Sequence, residues 1–270
     1  MSDTFIEIDH VSFGYDERRR ILDDVSLKFR RGQVTAILGA SGCGKTTLMR
    51  LIAGVHGATS GRVVFDGELV DAHDRDQLYR LRRRLGMLFQ FGALFTDLTV
   101  YDNVAFPLRE MTDLPESLIH DIVLMKLNAV GLRGAAKLKI SEVSGGMARR
   151  IALARAIALD PELIMYDEPF AGLDLISMGV AAKLIRTLND VTGATSLVVS
   201  HDVPECMAIS DHVVLMAAGG RIVAQGAPAE LMASTDAEVR QFVRGEPDGP
   251  VKFHYPAVEM ADDFGLGVRP

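Results

Sequence analysis

The sequence has little cysteine and no long apolar run, and both shortages limit what the chain can be. Only two of its 270 residues are cysteines, Cys43 and Cys206, and they lie far apart. Two cysteines cannot form a disulfide framework in a chain of this length, so we expect two reduced thiols. No apolar run approaches the roughly 20 residues that a membrane helix needs. Residues 1–9 lack the basic start and apolar stretch of a signal peptide. We therefore expect a cytoplasmic chain whose membrane role depends on a partner.

Basic residues are the minority among the charged side chains. The formal net charge is −7, which disfavours a nucleic-acid-binding surface, and we expect no nucleic-acid partner. The run of Arg80, Arg82, Arg83 and Arg84 is a local exception. A solvated helix face is the simplest interpretation of such a run.

Short apolar runs alternate with helical patterns along most of the chain. Residues 34–38 and 163–166 are apolar runs typical of buried parallel strands. Their alternation with helical patterns predicts a parallel sheet with helices on both faces. Residues 101–130 are largely helical in pattern, and we expect Pro107 and Pro115 to break the helices there.

A glycine-rich turn follows the first of these strands. Residues 39–46 fit the pattern Gly-x4-Gly-Lys-Thr between a buried strand and a helix. Such a turn lets consecutive backbone N–H groups point at phosphate oxygens, and the helix N-terminus adds partial positive charge. Lys45 would contact the β- and γ-phosphates, and the Thr46 hydroxyl would ligate Mg²⁺. We expect Cys43 to be a small loop filler rather than a reactive thiol. The candidate nucleotide-binding residues here are Gly39, Ala40, Ser41, Gly42, Cys43, Gly44, Lys45, Thr46 and Thr47.

Two carboxylates end the apolar run at 163–166. Asp167 and Glu168 would lie at the C-terminal end of a parallel strand, where α/β sheets bind ligands. Asp167 is the candidate for holding Mg²⁺. Glu168 is the candidate general base that polarises the attacking water. Together with Lys45, the pair predicts Mg²⁺-dependent hydrolysis of a nucleotide.

A second glycine-rich segment separates this chain from kinases, GTPases and helicases, which share the features above. Residues 143–147, Val-Ser-Gly-Gly-Met, resemble the ABC transporter signature Leu-Ser-Gly-Gly-Gln. The resemblance covers residues 5–243 and implies an ATP-hydrolysing ABC cassette. Its fold class would be α/β: a P-loop NTPase with a mixed RecA-like core, an antiparallel β subdomain and a helical insert at about 91–160. Residues 244–270 would form a C-terminal extension.

The same resemblance implies roles that no local pattern reveals. Tyr15 would stack on adenine, Gln90 would sense Mg²⁺ and the permease, and His201 would contact the γ-phosphate. Residues 171–174, Ala-Gly-Leu-Asp, match the family's D-loop, and Asp174 is its last residue. Met147 stands where the family commonly has glutamine and cannot donate a hydrogen bond from its side chain. In a homodimer, the γ-phosphate held by one subunit would be contacted by the signature of the other, at Ser144, Gly145 and Gly146.

Three segments narrow the resemblance to one class of ABC ATPase. Residues 89–108, 144–150 and 248–256 are similar to the ATPases of MCE-type lipid transporters. That similarity implies movement of phospholipid or a related lipid between the inner and outer membranes. It also implies a peripheral position on the cytoplasmic face of the bacterial inner membrane. The implied partners are an MlaE-like integral membrane permease, an MlaD-like MCE-domain protein and an MlaB-like STAS-domain protein.

Two other functions share parts of this pattern. An importer ATPase for amino acids or other small solutes would carry every catalytic motif. A soluble ABC protein of translation or repair is disfavoured, because such proteins usually have tandem cassettes or long arms. Only residues 90–108 and the C-terminal tail distinguish lipid transport from small-solute import.

Two apolar groups also allow two interpretations. Near the expected permease contact at 91–102, Phe91, Leu94, Phe95 and Tyr101 would line a groove or form the core of the insert.

In the tail at 245–270, dense proline and glycine favour a disordered terminus. Alternating Val251, Phe253 and Tyr255 favour an extended segment on the partner ATPase, with the STAS protein nearby, and we expect that arrangement.

Overall fold

The computed structural model describes residues 3–16, 19–251 and 264. Most of the expected extension at 244–270, including Phe253 and Tyr255, lies outside these residues. The strands are β1 Thr4–Asp16, β2 Arg19–Arg30, β3 Val34–Leu38, β4 Ser60–Phe65, β5 Glu68–Leu69, β6 Leu85–Leu88, β7 Leu163–Asp167, β8 Thr195–Ser200, β9 His212–Met216 and β10 Ile222–Gly226.

The helices lie between the strands and after the last one. The α-helices are α1 Lys45–Ile52, α2 Arg75–Arg83, α3 Val100–Met111, α4 Glu116–Ala129, α5 Gly145–Ala156, α6 Leu175–Thr192, α7 Val203–Ile209, α8 Pro228–Met232 and α9 Ala237–Arg244. Short 3₁₀ turns occupy Arg133–Ala135, Ile140–Glu142 and Ala218–Gly220. Among the described residues, no helix combines the length and apolar character that a membrane crossing requires.

The main sheet has the strand order β10-β9-β3-β8-β7-β6. All its pairings are parallel except that of β10 with β9. Side chains of β3 alternate between two cores: Val34, Ala36 and Leu38 join one, and Ile37 joins the other. The first core lies under helices α3 to α9, and the second lies under α1, α2 and the other sheet. Helices therefore cover both faces, as the sequence predicts, and a second sheet shares one of them.

That second sheet is antiparallel and has the order β2-β1-β4-β5. The turn between β4 and β5 is Asp66-Gly67, with φ angles of 51° and 83°. Positive φ at both central residues is what a tight hairpin needs, and Asp-Gly supplies it.

The helices of the insert differ from the prediction at one proline. Pro107 lies inside α3 and does not end it, whereas Pro115 precedes the first residue of α4 as expected. An interior proline removes a helix hydrogen bond and costs about 3 kcal/mol in an isolated helix. Here Val104 and Leu108 on either side of it are buried in the core. The apolar area that they bury offsets the local cost.

The basic run at 80–84 is only partly a solvated helix face. Arg80, Arg82 and Arg83 are exposed on α2, but Arg84 follows the helix and is partly buried. Its Nε donates to Glu162 Oε1 at 2.6 Å, and its Nη2 pairs with Asp66. These ion pairs raise the pKa of Arg84, Glu162 most of all. The side chain therefore joins the start of β7 to the β4–β5 turn, which the sequence interpretation missed.

Candidate nucleotide-binding site

The loop between β3 and α1 is folded around its own lysine. Lys45 Nζ donates to the carbonyl oxygens of Gly39 at 2.7 Å and Ala40 at 3.2 Å. Only 6% of the Lys45 side chain is exposed. A Cβ atom at Gly39 would lie 2.2 Å from the carbonyl oxygen of Met216, so only glycine fits there. Gly44, at the helix start, has a φ of 106°, which L side chains avoid. The loop thus closes on a buried cation at a helix N-terminus, with two of its carbonyl oxygens turned toward that cation.

Thr46 and Asp167 form the next part of the site. Thr46 Oγ1 donates to Asp167 Oδ1 at 2.9 Å. Burial at the end of β7 raises the pKa of the Asp167 carboxyl, and the Thr46 hydrogen bond partly opposes that shift. A buried carboxylate beside a hydroxyl oxygen is a donor set that suits a hard divalent cation. The chemistry of these two side chains is therefore compatible with Mg²⁺.

Glu168 has a strained backbone that turns its carboxylate toward the lysine. Its φ is 49°, an uncommon conformation for a residue with a side chain. Its N–H donates to the Val199 carbonyl at 2.8 Å, which holds the turn. Glu168 Oε1 lies 4.0 Å from Lys45 Nζ. Glu168 Oε2 lies 2.8 Å from His201 Nδ1 and accepts from Ser200 Oγ at 3.1 Å.

These groups open onto one cleft of about 520 Å³. Its lining includes two residues that the sequence interpretation missed, Arg19 and Ile21 at the start of β2, because nothing in their local pattern distinguishes them. Asp167 adjoins the cleft through its hydrogen bond to Thr46. The predicted residues that line the cleft are Tyr15, Ser41, Gly42, Gly44, Lys45, Thr46, Thr47, Gln90, Glu168 and His201.

Tyr15 stands at the rim of this cleft with much of its ring exposed. The Arg50 guanidinium donates to its hydroxyl at 3.0 Å, and the ring packs edge-on against Phe13 and His56. A hydrogen bond with Thr47 is the main cause that lowers the Tyr15 pKa. The anchored hydroxyl leaves an aromatic face beside the phosphate-binding loop.

Other predicted residues lie outside the cleft. Cys43 is buried, and burial raises the pKa of its thiol, which fits a loop filler rather than a reactive group. Asp174 is the N-cap of α6 and accepts from the N–H groups of Ile176 and Ser177, both at 3.0 Å. Its carboxylate thus stabilises the start of α6, a local role that the D-loop match did not predict.

The signature segment forms a second, separate helix N-terminus. Ser144 is the N-cap of α5, and its Oγ accepts from Met147 N–H at 3.2 Å. The hydroxyl proton remains available to a ligand, because the oxygen acts as acceptor in that bond. Gly145 and Gly146 complete the first turn, and none of these residues lines the cleft described above. The Met147 side chain packs against the core under the helical insert.

A third feature is an apolar groove of about 420 Å³ near Gln90. The groove aromatics are Phe89, Phe95 and Phe106, and all three side chains are exposed. Leu94 and Tyr101, the other candidates for a groove, pack against the core instead. Phe91 is 89% exposed. Of the four sequence candidates, Phe95 alone lines the groove, and Leu94 and Tyr101 match the alternative interpretation as core. Phe89 and Phe106 were not among the candidates.

Comparisons with known proteins agree with this geometry. A family model described as "ABC transporter" matches residues 22–171. The MlaF ATP-binding protein of the intermembrane phospholipid transport system from Escherichia coli (strain K12) is 58% identical over 246 residues, 91% of each chain. MlaF of Haemophilus influenzae is 54% identical over 264 residues, 98% of this chain and 99% of its own.

A solved structure adds the three-dimensional likeness. The ATP-binding cassette MJ0796, a dimer in a post-hydrolysis state bound to ADP and Pi, matches this fold with a TM-score of 0.75 at 27% identity. The match covers 83% of this chain and 98% of that one. The family match spans the phosphate-binding loop and the acidic pair, and the relatives extend it over nearly the whole sequence. The chain belongs to the ABC transporter family, among ATP-binding proteins of the MlaF kind.

Proposed function

We propose that this chain is the ATPase subunit of an Mla-type transporter that moves phospholipid between the inner and outer membranes. The 58% identity to an MlaF protein over 91% of the chain carries the proposal for the cargo. The cleft around Lys45, Glu168 and His201 supports the proposal for ATP hydrolysis. The subunit would work as a peripheral protein on the cytoplasmic face of the inner membrane.

The side chains of the cleft suit hydrolysis of a γ-phosphate. Lys45 would transfer its hydrogen bonds from the Gly39 and Ala40 carbonyls to the phosphates of ATP. Glu168 would accept a proton from the water that attacks the γ-phosphorus, while the bond to the ADP oxygen breaks and inorganic phosphate leaves. His201 would hold the Glu168 carboxylate and contact the γ-phosphate. Tyr15 would stack on adenine with its exposed ring.

Magnesium would be held by oxygen atoms of Thr46, Gln90 and Asp167. When bound, the ion supplies charge neutralisation for the phosphate oxygens. The raised pKa of Asp167 is caused by burial, so a neighbouring cation would favour the ionised carboxylate. Thr46, which now donates to Asp167, would turn its oxygen toward the ion.

The separate signature at the start of α5 supports a homodimer. One chain's cleft lacks these donors, whereas a second chain would bring Ser144 Oγ and the N–H groups of Gly145 and Gly146 to the γ-phosphate. A helix N-terminus suits such an anion. Asp174, as the cap of α6, would fix the D-loop beside that contact. The dimeric MJ0796 cassette supports this arrangement.

The groove aromatics suit an apolar helix of an MlaE-like permease. Asn103 holds the backbone of Phe95 at both its N–H, 2.9 Å, and its C=O, 3.1 Å. A change of the Phe95 side chain therefore leaves the loop in place. Phe95→Asp puts a negative charge in the groove beside the Phe106 ring, now 4.7 Å from that of Phe95. We expect at least about a tenfold loss of permease co-purification, because an apolar partner cannot solvate that charge.

Met125 provides the matched control, because it is exposed on α4 and lies outside the groove. Met125→Asp should leave the amount of co-purified permease near that of the unchanged chain. ATP binding should be normal in both variants. Wild-type recovery of the permease with a folded Phe95→Asp chain would show that the permease docks elsewhere.

The remaining partners of the assembly would be an MlaD-like MCE-domain protein and an MlaB-like STAS-domain protein. We also propose that the ATPase domain comprises residues 5–243, with the insert at about 91–160. Residues 244–270 would then form an extension that contacts the partner ATPase.

A small-solute importer is not favoured, because relatives with 54–58% identity are named for intermembrane phospholipid transport.

Reconstitution tests the cargo. The chain, assembled with its permease and MCE protein in proteoliposomes, should move fluorescent phospholipid in an ATP-dependent manner, measured as transfer to acceptor vesicles. Amino acids added to the same preparation should not stimulate ATP hydrolysis. Stimulation by a small solute, with no phospholipid transfer, would favour the importer alternative instead.

A further inference from the structure

The signature helix carries an arginine that touches two loops of the nucleotide site. Arg149 lies on α5, beyond the Ser144–Gly146 signature. Its Nη1 donates at 3.2 Å to the carbonyl of Phe89, in the segment around Gln90 (residues 89–93) that we call the Q-loop. Its Nη2 donates to the carbonyl of Ala171, in the D-loop, at 2.9 Å. One side chain therefore joins three segments that are far apart in the sequence.

The Arg149 guanidinium is held by carbonyl oxygens and not by an ion pair. No carboxylate forms a salt bridge with it within the described part of the chain, and burial lowers its pKa. A partly desolvated cation is costly to leave without hydrogen bonds. The planar fork of the guanidinium can serve both carbonyls at once, which a single ammonium group cannot do as well. The contact should therefore resist movement of α5 away from the two loops.

Neighbouring contacts place the start of α5 beside the D-loop. A Cβ atom at Gly146 would lie 3.5 Å from Ser177 Oγ, in the first turn of α6. Arg155, further along α5, donates to the carbonyls of Gly92 at 2.7 Å and Ala93 at 2.8 Å. The Q-loop is thus bound to α5 on both sides of Gln90, whereas Arg149 alone of these two arginines also reaches the D-loop.

We propose that Arg149 is a positioning residue that fixes the signature helix against the Q-loop and D-loop, so that Ser144 and Gly146 face the nucleotide of a second subunit. The inference rests on the proposed dimeric function. A helix rises 1.5 Å per residue, so the backbone of Arg149 lies within roughly 8 Å of the signature along the helix axis. Loss of its contacts would let the helix start move, while Arg155 would still hold the loop after Gln90 through the Gly92 and Ala93 carbonyls. Dimer formation should therefore suffer, and nucleotide binding by the single chain should not.

The next residue on the same helix provides a matched control. Arg150 Nη1 donates to the carbonyl of Val130 at 3.1 Å, a contact made within the helical insert. Changing Arg150 removes a guanidinium from the same helix but leaves the link to the Q-loop and D-loop intact. Methionine at either position keeps an unbranched apolar stem and removes the donors.

The experiment uses the full-length chain with Glu168→Gln, and it measures dimerisation with Mg²⁺ and ATP by analytical ultracentrifugation. Arg149→Met should raise the dimer dissociation constant at least about tenfold, and Arg149→Lys should give an intermediate value. Arg150→Met should stay within about twofold of the parent. A fluorescent ATP analogue should bind all the variants as tightly as the parent at concentrations where they are monomers.

Four outcomes would overturn the inference. The first is parental dimerisation by folded Arg149→Met or Arg149→Lys. The second is an equal loss in Arg150→Met, which would indicate general weakening of the insert. The third is a parallel loss of nucleotide binding, which would show that Arg149 supports the nucleotide site of its own chain. If the Glu168→Gln parent itself stays monomeric with ATP, the proposed dimeric function fails as well. Circular dichroism establishes folding, and Arg149→Lys serves if Arg149→Met does not fold.

Discussion

Glu168→Gln is expected to slow ATP turnover by about 10²-fold or more and to accumulate a nucleotide-bound dimer. Glutamine has nearly the same shape and can still accept hydrogen bonds from Ser200 and His201, so the cleft should keep its geometry. The amide cannot take up the proton of the attacking water, and general-base catalysis of this kind contributes about 10²–10⁴-fold. ATP binding and signature contact precede that step, so both should persist.

Two measurements check this prediction: phosphate release at saturating ATP, and molecular mass in solution with Mg²⁺ and ATP. Glu68→Gln is the control, because it removes one negative charge from the exposed strand β5, away from the cleft. It should hydrolyse ATP at the unchanged rate and form no stable dimer. A Glu168→Gln chain that turns over ATP like the unchanged protein would remove Glu168 from the role of base.

The parts of the site that the sequence predicted are those with short-range causes. The loop at 39–46 and the pair Asp167-Glu168 each follow an apolar strand directly. The strand is recognisable in the sequence, so the position of each segment at its C-terminal end is predictable. Parallel pairing of β3 with β8 and of β8 with β7 then brings the two strand ends to the same edge of the sheet. The contact of Thr46 with Asp167 follows from this pairing, although 121 positions separate them.

The parts that the sequence did not predict depend on long-range neighbours. Arg84 looked like surface charge because its partners, Asp66 and Glu162, are distant in the chain. The groove combines Phe89 from the end of β6 with Phe106 from α3, and no periodic pattern connects them. Pro107 predicted a break, because local propensity contains no information about the core that holds α3 together.

The family resemblance added residues that neither kind of reasoning reaches. Tyr15 and His201 are ordinary as isolated residues, and only their order relative to the motifs indicated a site. The geometry also qualifies what the resemblance implied for Asp174, whose oxygens accept hydrogen bonds from its own helix start. A motif match therefore gave the location of this residue but not its contacts.

Lys45→Ala is expected to abolish most nucleotide binding, with an affinity loss of at least about 10- to 150-fold for ATP. A hydrogen bond to a charged group contributes roughly 1.5–3 kcal/mol, and the Lys45 side chain is 6% exposed, so water screens it little. The substitution also releases the Gly39 and Ala40 carbonyls, which now accept from Nζ. Lys45→Met separates the two causes, because it fills the loop with an apolar stem but supplies no charge.

Calorimetric titration with ATP, ADP and AMP gives the sharpest measurement. The loss should be large for ATP and ADP and small for AMP, because Lys45 is assigned to the β- and γ-phosphates. Lys28→Ala is the matched control: that lysine pairs with Glu7 on the exposed side of the antiparallel sheet, and its removal should leave all three affinities unchanged. In the Glu168→Gln background, Lys45→Ala should also abolish the ATP-dependent dimer, since the signature of the partner then has no γ-phosphate to contact. A folded Lys45→Ala chain that binds ATP within about twofold of the unchanged protein would mean that this cleft is not the nucleotide site, and the assignments of Thr46, Asp167 and Glu168 would be lost with it.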